Sequence, residues 1–237
     1  MTDHQLLVLA RCAGFVFRAP GFSHPAVPPP VRAGLAFALA LVLGRSGAGA
    51  IAPAPFVAAL VGEVVLGFAL GMAAAAIYDA AFAGGRTLDD YSGIRGSVPT
   101  AGITAGAGFG RLWELAFTAG FFVLGGYRLA IAAFAATFTT IPVGALSGTG
   151  GFAALAVATV GVLLRTALLI AAPAIAAAFV AQFALAATGR IIPRFSSFTL
   201  SFPVVFGVVL MTTLALVPVL LPQAASPWFA VPRAIGR

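Results

Sequence analysis

Six apolar runs of very unequal length divide this sequence: Leu6 to Phe17, Ala33 to Leu43, Pro55 to Gly84, Leu112 to Phe138, Phe152 to Thr188 and Val204 to Leu221. A helix needs about twenty apolar residues to cross the roughly 30 Å hydrocarbon core of a bilayer. The first two runs are about half that length and the fifth is nearly twice it, so the chain cannot be a row of equal spans. With 61% hydrophobic and 8% charged residues, and a mean hydropathy of +1.09, it is not a soluble domain either. The expected fold is all-α and membrane-associated, built from helical hairpins with broken and half-length helices.

The breaks between runs carry chemistry of their own. Between the first two stands RAPGFSHPAVPPP, which no helix can cross, so these runs read as a hairpin or bent segment. The third run contains Glu63 and Asp79 and a Gly67-x-x-x-Gly71 step that lets another helix approach closely. Each carboxylate costs several kcal/mol in lipid unless it faces protein, water or a partner. Residues 85–111 form the longest polar, glycine-rich stretch and are read as a long loop, with glycines at 102, 106 and 110 that would equally suit a close-packed helical turn. Arg165 and Pro173 interrupt the fifth run, which predicts a kink or two pieces. The stretch GRIIPRFSSFTLSFP, residues 189–203, separates the last two runs.

All thirteen basic residues are arginine, against six acids, for a net charge of +7, and no acid follows Glu114. The arginines stand singly between apolar runs, which favours lipid headgroups or a partner subunit over nucleic acid as counterion. They flank nearly every segment, so the distribution of positive charge assigns no orientation. For Arg128, Arg165 and Arg190, snorkelling to an interface and contact with another subunit both remain open. The N-terminus has Asp3 in place of a basic region and Arg11 inside its apolar run, so it is expected to be retained. A single domain over 1–237 is expected, with short tails at 1–5 and 222–237.

Catalysis finds no support. His4 and His24 have no ligand or carboxylate at useful spacing, and there is no HExxH, GxSxG or cysteine motif. Asp89-Asp90, the only acidic pair, reads as a solvated loop or a helix cap. Cys12, the only cysteine, reads as a small buried hydrophobe. No metal or cofactor is expected, and the chain is not expected to be an enzyme.

Taken in order, the unusual residues resemble one family. They are Ala10-Arg11, Gly14-Phe15 and Ala19-Pro20; Val27-Pro28, Val31-Arg32, Gly34-Leu35-Ala36 and Ala38-Leu39; Glu63, Gly67 and Gly71; and Gly85, Leu88, Asp89 and Gly93. Further on come Gly125-Gly126, Phe134, Thr137-Phe138, Pro142 and Gly144, then Ala171-Ala172-Pro173, Gly189-Arg190, Pro193, Phe198, Leu200 and Phe202-Pro203. Over about residues 6–221 the chain is similar to the R subunit of the flagellar export gate and the T subunit of the type III secretion injectisome, the FliR/SctT family.

The resemblance implies a structural component of a helical export-gate pore in the bacterial inner membrane, through which unfolded proteins are exported. Its implied partners are the P-type and Q-type subunits (R-type and S-type in injectisomes), a U-type switch protein, the export-gate ring, the exported proteins and membrane lipid. It implies a pore plug at about 93–110, with Gly93, Gly96, Gly102, Gly106, Gly108, Phe109 and Gly110. It implies inter-subunit or structural polar contacts at Arg32, Glu63, Asp79, Asp89, Arg128, Arg165, Gln182, Arg190 and Arg194. It also implies that 189–203 is the turn of a helical hairpin. The chain departs from the family pattern at Ser92, Gln182 and Val204-Val205, where charged residues are usual. The Gly85-to-Gly93 motif and the glycine pair at 125 lean toward the injectisome branch, and Tyr127-Arg128 stands where flagellar members carry paired histidines. A small-molecule transporter or channel with broken helices is the alternative, with Glu63 and Asp79 as its coordinating or proton-carrying groups.

Overall fold

A computed structural model describes residues 2–24, 27–44, 55–92, 108–144, 149–191 and 198–225. Among these every regular element is a helix: α1 (Asp3–Arg18), α2 (Pro29–Leu43), α3 (Phe56–Ser92), α4 (Phe109–Val123), α5 (Gly126–Thr140), α6 (Thr149–Ile191), α7 (Phe198–Leu220) and a 3-10 turn at Leu221–Ala225. The all-helical expectation holds, including the uneven lengths.

Local chemistry sets most boundaries. Thr2 and Gln5 form a reciprocal capping box, each side chain accepting from the other's backbone N–H, so α1 starts at Asp3, inside what the sequence suggested was a tail. It stops at Ala19, whose extended backbone suits a residue before proline. Pro29 and Pro30 open α2, where a missing N–H costs nothing. Between α4 and α5 the chain bends by 75°, and Gly125 at the break has φ +73°, a left-handed conformation that glycine adopts without a Cβ penalty.

Three boundaries correct the sequence reading. Helix α3 continues through 85–92 instead of giving way to a loop at Gly85, and Phe109 and Gly110 already belong to α4. Of the kink or two pieces expected at Arg165 and Pro173, two pieces are excluded, because α6 is one helix of 43 residues with Pro173 inside it. Of the expected 189–203 turn, 189–191 belong to α6 and 198–203 to α7, with Pro203 inside the helix, and 192–197 lie outside the described residues. In a helix this long, neighbouring bonds hold the backbone across the single contact a proline removes.

Phe56–Ser92, Leu155–Arg190 and Ser201–Ala224 are long and apolar enough to cross a membrane, and α4 with α5 makes a fourth if the bent pair counts as one span. Only 22% of the apolar window is buried in each of the last two. Their outer faces therefore need lipid or other protein. At 15 residues, α2 is about 22 Å long and too short to span.

Packing gathers the chain into two units: Met1–Ala76 with Phe121–Val162 and Ala225–Arg237, and Ile77–Gly120 with Leu163–Ala224. In the first, Leu7, Val8, Cys12, Phe15 and Val16 of α1 are buried. Phe15 stacks on Phe134 at 4.1 Å, and Phe134 meets Phe138 edge-on at 5.4 Å. Gly14 of α1 faces the backbone of α3 near Val64, and Gly67 faces that of α1 at Arg11, leaving no room for a Cβ on either. The Gly67-x-x-x-Gly71 step thus serves a contact within the chain.

The second unit is built the same way. Gly84 lies against Ala167 and Ile170 of α6, and Gly85 against Phe109 and Gly110. Trp113, Phe117, Leu88, Ile170 and Val209 are almost wholly buried there. The Tyr78 hydroxyl donates to the carbonyl of Ala224 at 3.2 Å.

Candidate functional site

The most demanding chemistry in the first unit is a buried ion pair. Arg11 of α1 is 0% exposed and Glu63 of α3 is 2% exposed. The guanidinium meets the carboxylate with two nitrogens: Nε donates to Oε2, and Nη2 donates to Oε1 at 2.9 Å. Such a fork-to-fork pairing fixes orientation as well as charge.

The end of α5 completes the site. Arg11 Nη1 donates to the carbonyls of Ile141 at 3.0 Å and Thr137 at 3.5 Å. Carbonyls at a helix C-terminus carry partial negative charge, so a cation suits them. Glu63 Oε1 also accepts the Gly144 N–H at 2.8 Å, and Gly144 has φ +83°. The Phe138 ring lies 4.6 Å from the guanidinium carbon, adding a cation–π contact. Every charged atom of the pair has a partner, the condition under which a buried pair is tolerated. Both Glu63 oxygens are engaged, so neither is open to an ion or small solute.

In the second unit Asp89 performs the other polar task. Its Oδ1 accepts from the Phe109 N–H at 2.6 Å and its Oδ2 from the Gly110 N–H at 3.1 Å. The carboxylate thus covers the positive N-terminal end of α4 from the last turns of α3. The helix-cap reading of Asp89 is the one the structure takes. A side chain at Gly108 would overlap this carboxylate, and one at Gly85 would strike Phe109 and Gly110. Ser92 closes α3 by donating to the Leu88 carbonyl at 2.7 Å.

The remaining residues singled out from the sequence are dispersed. Arg32 donates to the carbonyls of Val27 at 3.1 Å and His24 at 2.8 Å, bracing the proline-rich turn within its own chain. Gln182 accepts from the Tyr91 hydroxyl at 3.4 Å. Asp79 is half-buried on α3 and takes part in interactions there. Arg128 is exposed beside Tyr127, 3.2 Å from its hydroxyl. Arg165 and Arg190 are exposed on α6. Gly93, Gly96, Gly102, Gly106 and Arg194 lie outside the described residues. Among the described residues no three His, Cys, Asp or Glu side chains converge as a metal would need.

Sequence reasoning did not select Arg11 as a site residue, although it was visible as a lone charge in an apolar run. The available signal was complementarity: one buried cation on α1 and one buried anion on α3 each require a counter-charge.

The sequence profile of bacterial export proteins, family 1, matches residues 4–229. The chain belongs to this family. Comparison with curated proteins finds no match. As a bacterial export protein of family 1, the chain is a component of a type III secretion or flagellar export apparatus, a multi-pass membrane protein that assembles with other subunits of that machinery. The family is a structural component of the apparatus and not known as an enzyme family. For such a protein, the Arg11–Glu63 pair and the Asp89 cap are devices that hold short, irregular helices in place.

Proposed function

We propose that this family 1 export protein is a pore-forming subunit of the export gate in the bacterial inner membrane, of the injectisome T type in preference to the flagellar R type. It acts with P-type and Q-type subunits, a U-type switch protein and the export-gate ring to pass unfolded proteins. The segment from Gly93 to Gly110 serves as the plug, with its C-terminal end at Gly108, Phe109 and Gly110.

The observation that carries this reading is the Asp89 cap. It ties the last turns of α3 to the first residues of α4, the described helices on either side of the glycine-rich segment. A plug must yield to substrate without dragging the helices that hold it, and a carboxylate-capped base does that. Its glycines provide small volume and backbone freedom. The occupied Glu63 counts against the transporter alternative, which needs that carboxylate for a solute or proton.

The deciding measurement is the mass of the detergent-solubilised particle when the chain is produced alone and with its chromosomal neighbours. A stable hetero-oligomer with P-type and Q-type subunits supports the export gate. A monomer or homodimer indifferent to those neighbours removes it.

A further inference from the structure

Within the first unit, the turn that leads into α5 is a ladder of rings ending in a charge. The Phe122 ring lies on Gly21, where a Cβ would overlap it. Tyr127 stacks on Phe122 with ring centres 6.2 Å apart, and the Arg128 guanidinium carbon stands 5.7 Å from the centre of the Tyr127 ring. Arg128 Nε also donates to the Tyr127 hydroxyl at 3.2 Å. The guanidinium is exposed and forms no ion pair with any of the six acids of the chain, all of which are described. Beside this ladder Val123 (84% exposed), Leu124 (47%) and Phe122 (44%) offer apolar surface at the helix break. No side chain caps α5, which follows the left-handed Gly125.

Of the depths open to such a turn in a membrane protein, two are costly. At mid-bilayer Arg128 costs several kcal/mol, and the leading amides of α5 have neither cap nor water. In water, three large apolar side chains stay wet, each forgoing on the order of 1 kcal/mol of burial. The headgroup layer removes both costs, because valine, leucine and phenylalanine enter the acyl-chain boundary while tyrosine and arginine stay at headgroup level. Charge agrees with that depth: thirteen arginines against six acids give a net +7, complementary to anionic phospholipid.

We infer that the turn from Phe122 to Arg128 lies in the headgroup layer, with Val123 and Leu124 in the acyl-chain boundary and Arg128, oriented by the Tyr127 ring, holding a phospholipid phosphate. The inference needs the membrane setting of the chain and not the gate proposed above, so its failure leaves that reading standing.

The test labels Val123→Cys with a fluorophore in the full chain, co-produced with its chromosomal neighbours. Cys12 is buried, which leaves the label a single site. The protein is reconstituted in vesicles of phosphatidylethanolamine and phosphatidylglycerol, with nitroxide lipids carrying the quencher at the headgroup, high in the acyl chain or at the chain end. The shallow probes are expected to quench most and the chain-end probe least. Arg128→Glu is expected to lower the shallow quenching about fivefold, the equivalent of about 1 kcal/mol for one basic residue at the surface. Arg128→Lys is expected to retain it, which separates lost charge from lost folding. Strongest quenching by the chain-end probe puts the turn at mid-bilayer and overturns the inference. Quenching by no lipid probe, from a turn in water or under another subunit, overturns it equally, and shallow quenching unchanged by Arg128→Glu refutes the phosphate contact.

Discussion

Arg11 and Glu63, 52 residues apart in sequence, grip each other through both ends of a guanidinium–carboxylate fork at a site from which water is almost wholly excluded. The pair joins α1 to α3, and the Thr137 and Ile141 carbonyls and the Gly144 amide bring the end of α5 to the same point. Short helices with little core of their own are located by this junction.

Removing one member therefore costs more than removing both. Glu63→Leu strands a buried guanidinium and is expected to destabilise the protein by about 3–5 kcal/mol, whereas Arg11→Met with Glu63→Leu recovers most of that loss. Thermal unfolding in detergent of the two single variants and the double variant measures the coupling. Equal stability of Glu63→Leu and the unmodified protein would refute the account of the site.

Asp89 makes a separable prediction. Asp89→Ala leaves the Phe109 and Gly110 amides without their acceptor and is expected to cost about 1–2 kcal/mol. Hydrogen exchange at the start of α4 should speed up by about 5–30-fold while the buried amides of α1 stay protected. Uniform acceleration across both units would show that Asp89 acts globally and does not cap one helix. The cap was legible in part: the acidic pair was visible, but which backbone it would meet depended on how the chain returns 20 positions later.

Two glycines should respond in opposite directions. Gly67→Ala drives a methyl into the α1 backbone at Arg11 and is expected to cost about 1–3 kcal/mol. Gly161→Ala enters open space and should stabilise the isolated chain by up to about 1 kcal/mol. Melting temperatures of the two variants produced alone decide the matter, and a loss at Gly161 would mean that this side of α6 packs against the chain itself.

Cys12 is expected to be inert. It is 0% exposed, and burial pushes its thiol from the ordinary 9.0 up to about 12, with Arg11 opposing the shift and Glu63 adding to it. Maleimide labelling at pH 8 should then proceed only as fast as the protein unfolds. Because the unfolded thiol ionises first, this group's contribution to stability is complete below pH 9.0 and declines as pH rises toward 12. Rapid labelling of the folded protein would contradict the burial of α1.

Apolar run length, proline breaks and charge scarcity are local properties, and they sufficed to determine the helical class and the membrane setting, while the family followed from the resemblance carried by the ordered motifs from Ala10-Arg11 to Phe202-Pro203. The Gly67-x-x-x-Gly71 step already announced a close helix contact, because only missing side chains permit one. Tertiary structure alone decided that this contact is internal, that Glu63 belongs to Arg11, and that Asp89 caps a helix beginning 20 positions later. It also decided that α6 runs unbroken past Arg165 and Pro173. The reason is physical: a lone buried charge states that it needs a partner, but the partner is chosen by packing across sequence distances that no local pattern encodes.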